Sequence, residues 1–314
     1  MVSQTYEPGY LALLRSGELK RRVERAYERM HACDLCPREC GIDRAVEVGT
    51  CRTGMEAVMS SFAPHFGEED PLRGHSGSGT IFFAWCNLNC AYCQNYDISQ
   101  RGQGRPVEPE DLASMMLTLQ SQGCHNINLV SPSHVVAPIL AALLIAAEAG
   151  LRRPIVYNTG GYDAISTLEL LDGVVDIYMP DMKYADAEIA FRYSRVPNYP
   201  QINQAAVREM HRQVGDLALD DDGIALGGLL VRHLVLPNGL AGTAEIARFL
   251  AEEISRDTYI NVMDQYRPCY RAPELPPLDR PVTTAEYEAA MEAARQAGLH
   301  RFDQRQRRGL RLLW

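Results

Sequence analysis

The chain has 314 residues, of which 46% are hydrophobic and 23% charged, enough to bury a large core and ordinary for a globular enzyme. A net charge of -9 argues against general nucleic-acid binding, which needs a basic footprint. No run of about eighteen apolar residues occurs, and the opening segment lacks a basic stretch followed by an apolar one, so neither a membrane span nor a signal peptide is expected.

Residues 9–32 carry Leu11, Leu14, Leu19, Val23, Ala26 and Met30 at helical spacing among charges, which predicts an N-terminal helix. A cysteine-rich knot follows at 33–54. Residues 55–79, with Pro64, Gly67, Pro71, Gly74, Gly77 and Gly79, are expected to be a loop. From residue 80 strand-like and helix-like runs alternate. The predicted strands are 80–85, 126–130, 155–158, 174–179, 229–236 and 259–263, too continuously apolar to be half-exposed. The predicted helices are 109–122, 135–149, 164–171, 203–214, 244–254 and 285–297. Thr243 is expected to cap the fifth and Thr283 or Thr284 the sixth, and Gly123, Gly150, Gly215 and Gly298 to end helices. Six such units argue for an α/β fold with a parallel sheet and outer helices, whether open or curled, with functional groups at the carboxyl ends of the strands. The expected division is 1–79 (helix, knot and loop), 80–299 (the α/β body) and 300–314, a basic tail with Arg301, Arg305, Arg307, Arg308 and Arg311 that is read as a solvated end.

Nine cysteines is an odd count, and seven of them fall in two tight clusters, which is metal or redox usage in a reducing compartment rather than a disulfide framework. The cytoplasm is the expected location. Cys86, Cys90 and Cys93 are spaced C-x3-C-x2-C directly after the first predicted strand. Four thiolates normally hold a four-iron cluster, so three leave one iron open to another ligand. Structural zinc wants four ligands, and the nearest further thiol, Cys124, ends a helix leading away. Cys33, Cys36, Cys40 and Cys51 form a second set, C-x2-C-x3-C-x10-C, which suits either tetrahedral zinc or an iron-sulfur cluster. Cys124 is read as core filler and Cys269 as a residue near the mouth. His65, Glu68 and Glu69 either line the site or are ordinary loop residues.

The cysteine triplet with an aromatic, Tyr92, before its last member resembles the signature of radical S-adenosylmethionine enzymes. Six further phrases resemble activating enzymes of glycyl radical proteins, in particular homologues of the pyruvate formate-lyase activating enzyme: GSGTIFF (77–83), CQNYDIS (93–99), NINLVSPSH (126–134), YMPDMKY (178–184), VRHLVLP (231–237) and NVMDQYRP (261–268). The resemblance implies a partial (βα)6 TIM-like barrel carrying an N-terminal helix and a cysteine-rich metal-binding extension. It implies that Cys86, Cys90 and Cys93 hold a [4Fe-4S] cluster whose open iron takes S-adenosylmethionine. Reductive cleavage would then give a 5′-deoxyadenosyl radical that abstracts hydrogen from a protein or peptide, with a flavodoxin or ferredoxin as electron donor. Tyr92 would lie against the adenine, Asp181 and Lys183 would contact the cofactor, and Asn158 and Arg232 would stand on its side of the site. The family's Gly-Gly-Glu-like motif after the second strand is missing; Ser131, Pro132, Ser133 and His134 occupy that place, and either Ser131 and His134 substitute or the amino group finds another partner, with substrate contact the alternative role for His134. A small-molecule or side-chain substrate, and a non-enzymatic iron-sulfur or zinc protein, are the competing readings.

Overall fold

The computed structural model describes residues 6–303. Two helices, α1 (Tyr10–Arg15) and α2 (Glu18–Glu28), precede the cysteine knot, and α2 packs on a later helix, α6. The strands are β1 (Ala57–His65), β2 (Ser78–Phe83), β3 (Arg105–Val107), β4 (Ile127–Val130), β5 (Ile155–Thr159), β6 (Ile177–Pro180), β7 (Ala218–Leu219), β8 (Ala225–Leu234), β9 (Tyr259–Met263) and β10 (Arg301–Phe302). The remaining helices are α3 (Asp70–Arg73), α4 (Tyr96–Ser99), α5 (Pro109–Ser121), α6 (Val136–Glu148), α7 (Ile165–Leu171), α8 (Ala187–Ser194), α9 (Tyr199–Val214), α10 (Thr243–Phe249) and α11 (Thr284–Gln296).

The sheet runs β10-β9-β8-β6-β5-β4-β2-β1-β3, with β7 on β8. The six central strands β2, β4, β5, β6, β8 and β9 are parallel, and its two ends do not meet. The fold is an α/β partial TIM-like barrel. Burial explains the parallel arrangement: every residue of β5 and β6 is buried, since helices cover one face and the barrel interior the other. Inside, Val156, Ile177, Met179, Leu230 and Tyr259 form one apolar cluster beneath the carboxyl ends of the strands.

The expected loop at 55–79 contains β1 and α3 instead. β1 alternates between buried and less buried residues and runs antiparallel to β2. Its Pro64 pairs with Gly79 of β2, while β3 covers only residues 57–59 on the other side. Pro64 therefore stands where no outer strand needs its missing N–H, so a residue that reads as a breaker is tolerated. The expected tail also begins with structure: β10 adds to β9 in parallel, and Arg305, Arg307, Arg308 and Arg311 lie outside the described residues. Residues 187–194, which carried no predicted element, form α8, capped by the Asp186 carboxylate accepting from the Ile189 N–H at 2.8 Å.

The Thr243 expectation is corrected. Gly242, at φ 70°, precedes α10, and the Thr243 hydroxyl instead meets Nε2 of the buried His233 at 2.8 Å. Thr283 does cap α11, in a capping box with Glu286. Among the described residues no helix is long and apolar enough to cross a membrane. Thr283→Ala is expected to lower stability by about 1 kcal/mol, the usual worth of such a cap, read from the midpoint of urea unfolding.

Candidate active site

The chain leaves β2 through a tight corner. Trp85 adopts φ 66°, in the left-handed region that non-glycine residues rarely occupy. Its N–H donates to the Ile98 carbonyl at 3.0 Å, and its ring lies under the Arg52 guanidinium at 5.1 Å. Gly102 closes the corner, since a side-chain carbon there would stand 2.1 Å from the indole. The loop that follows carries Cys86, Cys90 and Cys93 and is held by backbone bonds from Asn89 and Ala91 to the end of α8.

All three cysteines line one cavity of about 440 Å³ at the carboxyl ends of the barrel strands. Each sulfur has a hydrogen-bonding group against it. The Leu88 N–H donates to Cys86 Sγ at 3.4 Å, the Ser194 hydroxyl donates to Cys90 Sγ at 3.0 Å, and the Ser99 hydroxyl meets Cys93 Sγ at 3.0 Å. Burial pushes the Cys86 thiol up to about 12 and the Cys90 thiol upward as well. Left alone these groups stay protonated; a cationic metal centre deprotonates them, and the surrounding donors then suit thiolates. Among the described residues Cys86, Cys90 and Cys93 are the only cysteines lining this cavity, and three thiolates fit a four-iron cluster with one open iron better than a closed tetrahedral zinc site.

The opposite wall is ionic. Asp181, just past β6, accepts from Lys183 Nζ at 2.6 Å through one oxygen and from Arg232 Nε at 2.9 Å through the other. A second guanidinium nitrogen of Arg232 donates to Asn158 Oδ1 at 2.7 Å. These side chains join β5, β6 and β8 at one level. Burial raises the Asp181 carboxyl, but the Arg232 and Lys183 charges outweigh it and hold the group below its usual range. Burial likewise works against the Lys183 and Arg232 cations; Asp181 with Cys90 more than restores Lys183, and Asp181 with Glu69 and Glu68 more than restores Arg232. Gly161 permits this packing: at φ 73°, a side-chain carbon would fall 2.2 Å from the Asp181 carbonyl oxygen.

Tyr92, Ser131, Asn158, Asp181, Lys183 and Arg232 all line the same cavity as the three sulfurs. Ser131 ends β4 at φ 59°, its N–H donating to the Asn158 carbonyl at 2.9 Å. The Tyr92 ring is set edge-on by Tyr184 and Tyr266. His134 is a correction. It is buried at 2% exposure, does not line the cavity, and bonds through Nε2 to the Ala84 carbonyl at 3.0 Å. Burial lowers its imidazole to about 4, and the ring serves the β2 corner rather than a ligand. Cys124 is fully buried in the core, as expected, and Cys269 does not line the cavity. His65, Glu68 and Glu69 do line it, brought in by the segment between β1 and β2. The sequence pattern gave no sign of Ser194, which reaches Cys90 across 104 residues.

The other four cysteines stand together beside the barrel. Cys33, Cys36 and Cys51 are buried and Cys40 is half-buried, and Cys33, Cys40 and Cys51 all act on the Cys36 thiol, which burial pushes up to about 12. The N–H of Cys33 donates to the Ile42 carbonyl and the N–H of Gly41 to the Cys33 carbonyl, folding the loop back on itself.

Residues 80–227 match the radical SAM superfamily. The chain is also 32% identical over 289 residues to the uncharacterized protein MJ0674 of Methanocaldococcus jannaschii, covering 90% of this chain and 79% of that one. The chain carries a radical SAM superfamily domain. Membership supports an enzyme that cleaves S-adenosylmethionine by a radical mechanism at a [4Fe-4S] cluster. The radical SAM fold is also similar to solved structures at low identity. A radical SAM methyltransferase from Sphaerobacter thermophilus aligns at TM-score 0.49 and 15% identity, over 71% of this chain and 66% of that one, just under two thirds of its length. Streptococcus suis SuiB bound to its precursor peptide SuiA aligns at TM-score 0.43 and 14% identity, over 69% of this chain and 46% of that one.

Asp181→Asn is expected to remove the carboxylate paired with the Lys183 ammonium and leave it beside Arg232, so its pKa falls. Lys183 should then become acylated by an amine reagent near neutral pH, read by peptide mass spectrometry, while the unaltered protein stays protected.

Proposed function

We propose that this chain is a radical S-adenosylmethionine enzyme that abstracts hydrogen from a protein or peptide, in the manner of glycyl radical activation. The observation that carries the catalytic part is the sharing of one cavity by three donor-supported sulfurs and the Asp181 ion set. Cys86, Cys90 and Cys93 hold the cluster. When bound, it supplies the electron that cleaves the sulfonium bond of S-adenosylmethionine, leaving methionine and a 5′-deoxyadenosyl radical. Lys183 and Arg232 present an ammonium and a guanidinium to the methionine carboxylate, and Asp181 keeps both charged and oriented. Asn158 fixes the outer guanidinium nitrogen of Arg232. Ser131 offers its hydroxyl from the end of β4, and Tyr92 offers an aromatic edge to the adenine. Cys33, Cys36, Cys40 and Cys51 hold a second metal group, and a low-potential carrier such as flavodoxin or ferredoxin supplies the electrons.

The peptide substrate rests on the resemblance to activating enzymes along six phrases of the chain. A second reading, hydrogen abstraction from a small molecule or an amino-acid side chain, is favoured by Glu68 and Glu69. Both line the cavity and both act on Arg232. A backbone glycine needs no carboxylate, whereas an ammonium-bearing substrate would use one.

The reconstituted, reduced protein is expected to form 5′-deoxyadenosine, and Cys86→Ala to abolish it. No product from protein with its cluster intact would contradict the proposal. Deuterium carried from a labelled peptide into 5′-deoxyadenosine supports the peptide reading; deuterium from a labelled small amine in its place supports the second. Ser194→Ala removes a donor from Cys90 and is expected to shift the cluster potential to more negative values, measured by redox titration followed by electron paramagnetic resonance.

A further inference from the structure

The four-cysteine knot lies against the cysteine loop of the barrel, and two independent features join them. The first is a recess of about 100 Å³ lined by Cys51 of the knot and Cys86 of the barrel, with Trp85, Arg38, Arg52 and Arg195 around them. The two sulfur sets therefore share a wall. The second is a packed line of side chains between Cys36 and Cys90. The Tyr162 hydroxyl donates to Asn198 Oδ1 at 2.8 Å and stands 3.4 Å from the carbonyl of Pro37, the residue after Cys36. The Tyr162 ring stacks on Tyr199 at 6.2 Å between centroids and 14° between planes. Tyr199 meets Tyr184 edge-on at 5.6 Å. The Tyr184 hydroxyl bonds the Ser194 hydroxyl at 2.7 Å, and Ser194 donates to Cys90 Sγ at 3.0 Å. Tyr162, Tyr184, Tyr199 and Ser194 are all buried, so no solvent interrupts the line.

The knot is tied to the barrel by hydrogen bonds: Arg44 donates to the His134 carbonyl at 2.8 Å, Arg38 to the Asn87 carbonyl at 2.9 Å, and Thr167 to the Leu35 carbonyl at 2.8 Å. Zinc would be redox-inert in this position. We infer that Cys33, Cys36, Cys40 and Cys51 hold an iron-sulfur cluster that serves as the electron port of the barrel, taking one electron from an acidic carrier at the Arg52 and Arg195 face and passing it to the cluster at Cys86, Cys90 and Cys93. Each centre is reduced and then reoxidised by one electron, and the sulfonium of S-adenosylmethionine is the final acceptor. The charge of the face supports the carrier's chemistry: Arg52 and Arg195 are exposed cations on a chain of net charge -9.

The port function rests on the proposed radical cluster, but the metal of the knot does not, so the two are tested apart. The full chain with Cys86→Ala, Cys90→Ala and Cys93→Ala, purified anaerobically, is expected to bind iron and acid-labile sulfide and to show a reduced-cluster resonance with dithionite. Zinc in their place, or no metal, overturns the inference whatever the barrel does. With Cys33→Ala and Cys36→Ala, reduction of the barrel cluster by reduced flavodoxin is expected to slow while reduction by dithionite stays at the original rate. An unchanged flavodoxin rate overturns the port. If that variant does not fold, Arg52→Glu with Arg195→Glu, both on the surface, decides: the flavodoxin rate should fall about tenfold or more at low salt, with the difference fading at high salt. A rate unaffected by charge reversal overturns entry at this face.

Discussion

One half-buried carboxylate organises the mouth of this barrel. Asp181 stands between Lys183 and Arg232, with all three side chains less than a fifth exposed. Bringing such charges out of water is costly, and removing one partner of a buried set typically loses about 3–5 kcal/mol because a bare charge is left behind. Evolution of a stable core would not require this arrangement, since apolar residues of the same size pack as well or better. What the ion set achieves is position. It locks the ends of β6 and β8, reaches β5 through Asn158, and holds two cations charged in a cavity whose other wall is sulfur.

The sulfur wall is built on a different principle. A short loop leaves β2 through the left-handed corner at Trp85 and returns along α8. Its geometry is set less by hydrogen bonding within the loop than by neighbours from elsewhere: Gly102 beneath the indole, Ser194 and Tyr193 from α8, and Ser99 from α4. The buried tyrosines behind it fill the space with rigid rings; the Tyr184 hydroxyl bonds Ser194, and the Tyr199 hydroxyl the Gly160 and Asp181 carbonyls. The same aromatic layer joins the loop to the N-terminal knot, so the two thiol sets belong to one packed region despite their separation along the chain.

The six parallel strands were legible because apolar runs buried on both faces announce themselves locally, and each observed strand overlaps its predicted run. β1 was not, because its one-sided alternation is broken by Pro64, and only the absence of an outer strand at that point makes the proline harmless. Among site residues, Asp181 and Lys183 were singled out by the resemblance to activating enzymes, and both line the cavity with the three cysteines. His134 misled for a physical reason. It follows β4 at the expected place, yet its ring turns back to the Ala84 carbonyl because the β2 corner offers an acceptor in a buried space.

The chain's local patterns carry the available chemistry: three cysteines too few for a closed cluster, a second set of four, and an alternation of strands and helices that puts functional groups at the carboxyl ends of the strands. These are properties of spacing and periodicity, which are local. The tertiary structure alone decided the partners: Ser194 on Cys90, Arg232 on Asp181, Glu68 and Glu69 in the cavity, and Cys51 across a small recess from Cys86. Those contacts join residues from separate strands and loops. They depend on how the sheet curves and where the segment between β1 and β2 crosses its open side, and no short-range pattern encodes either.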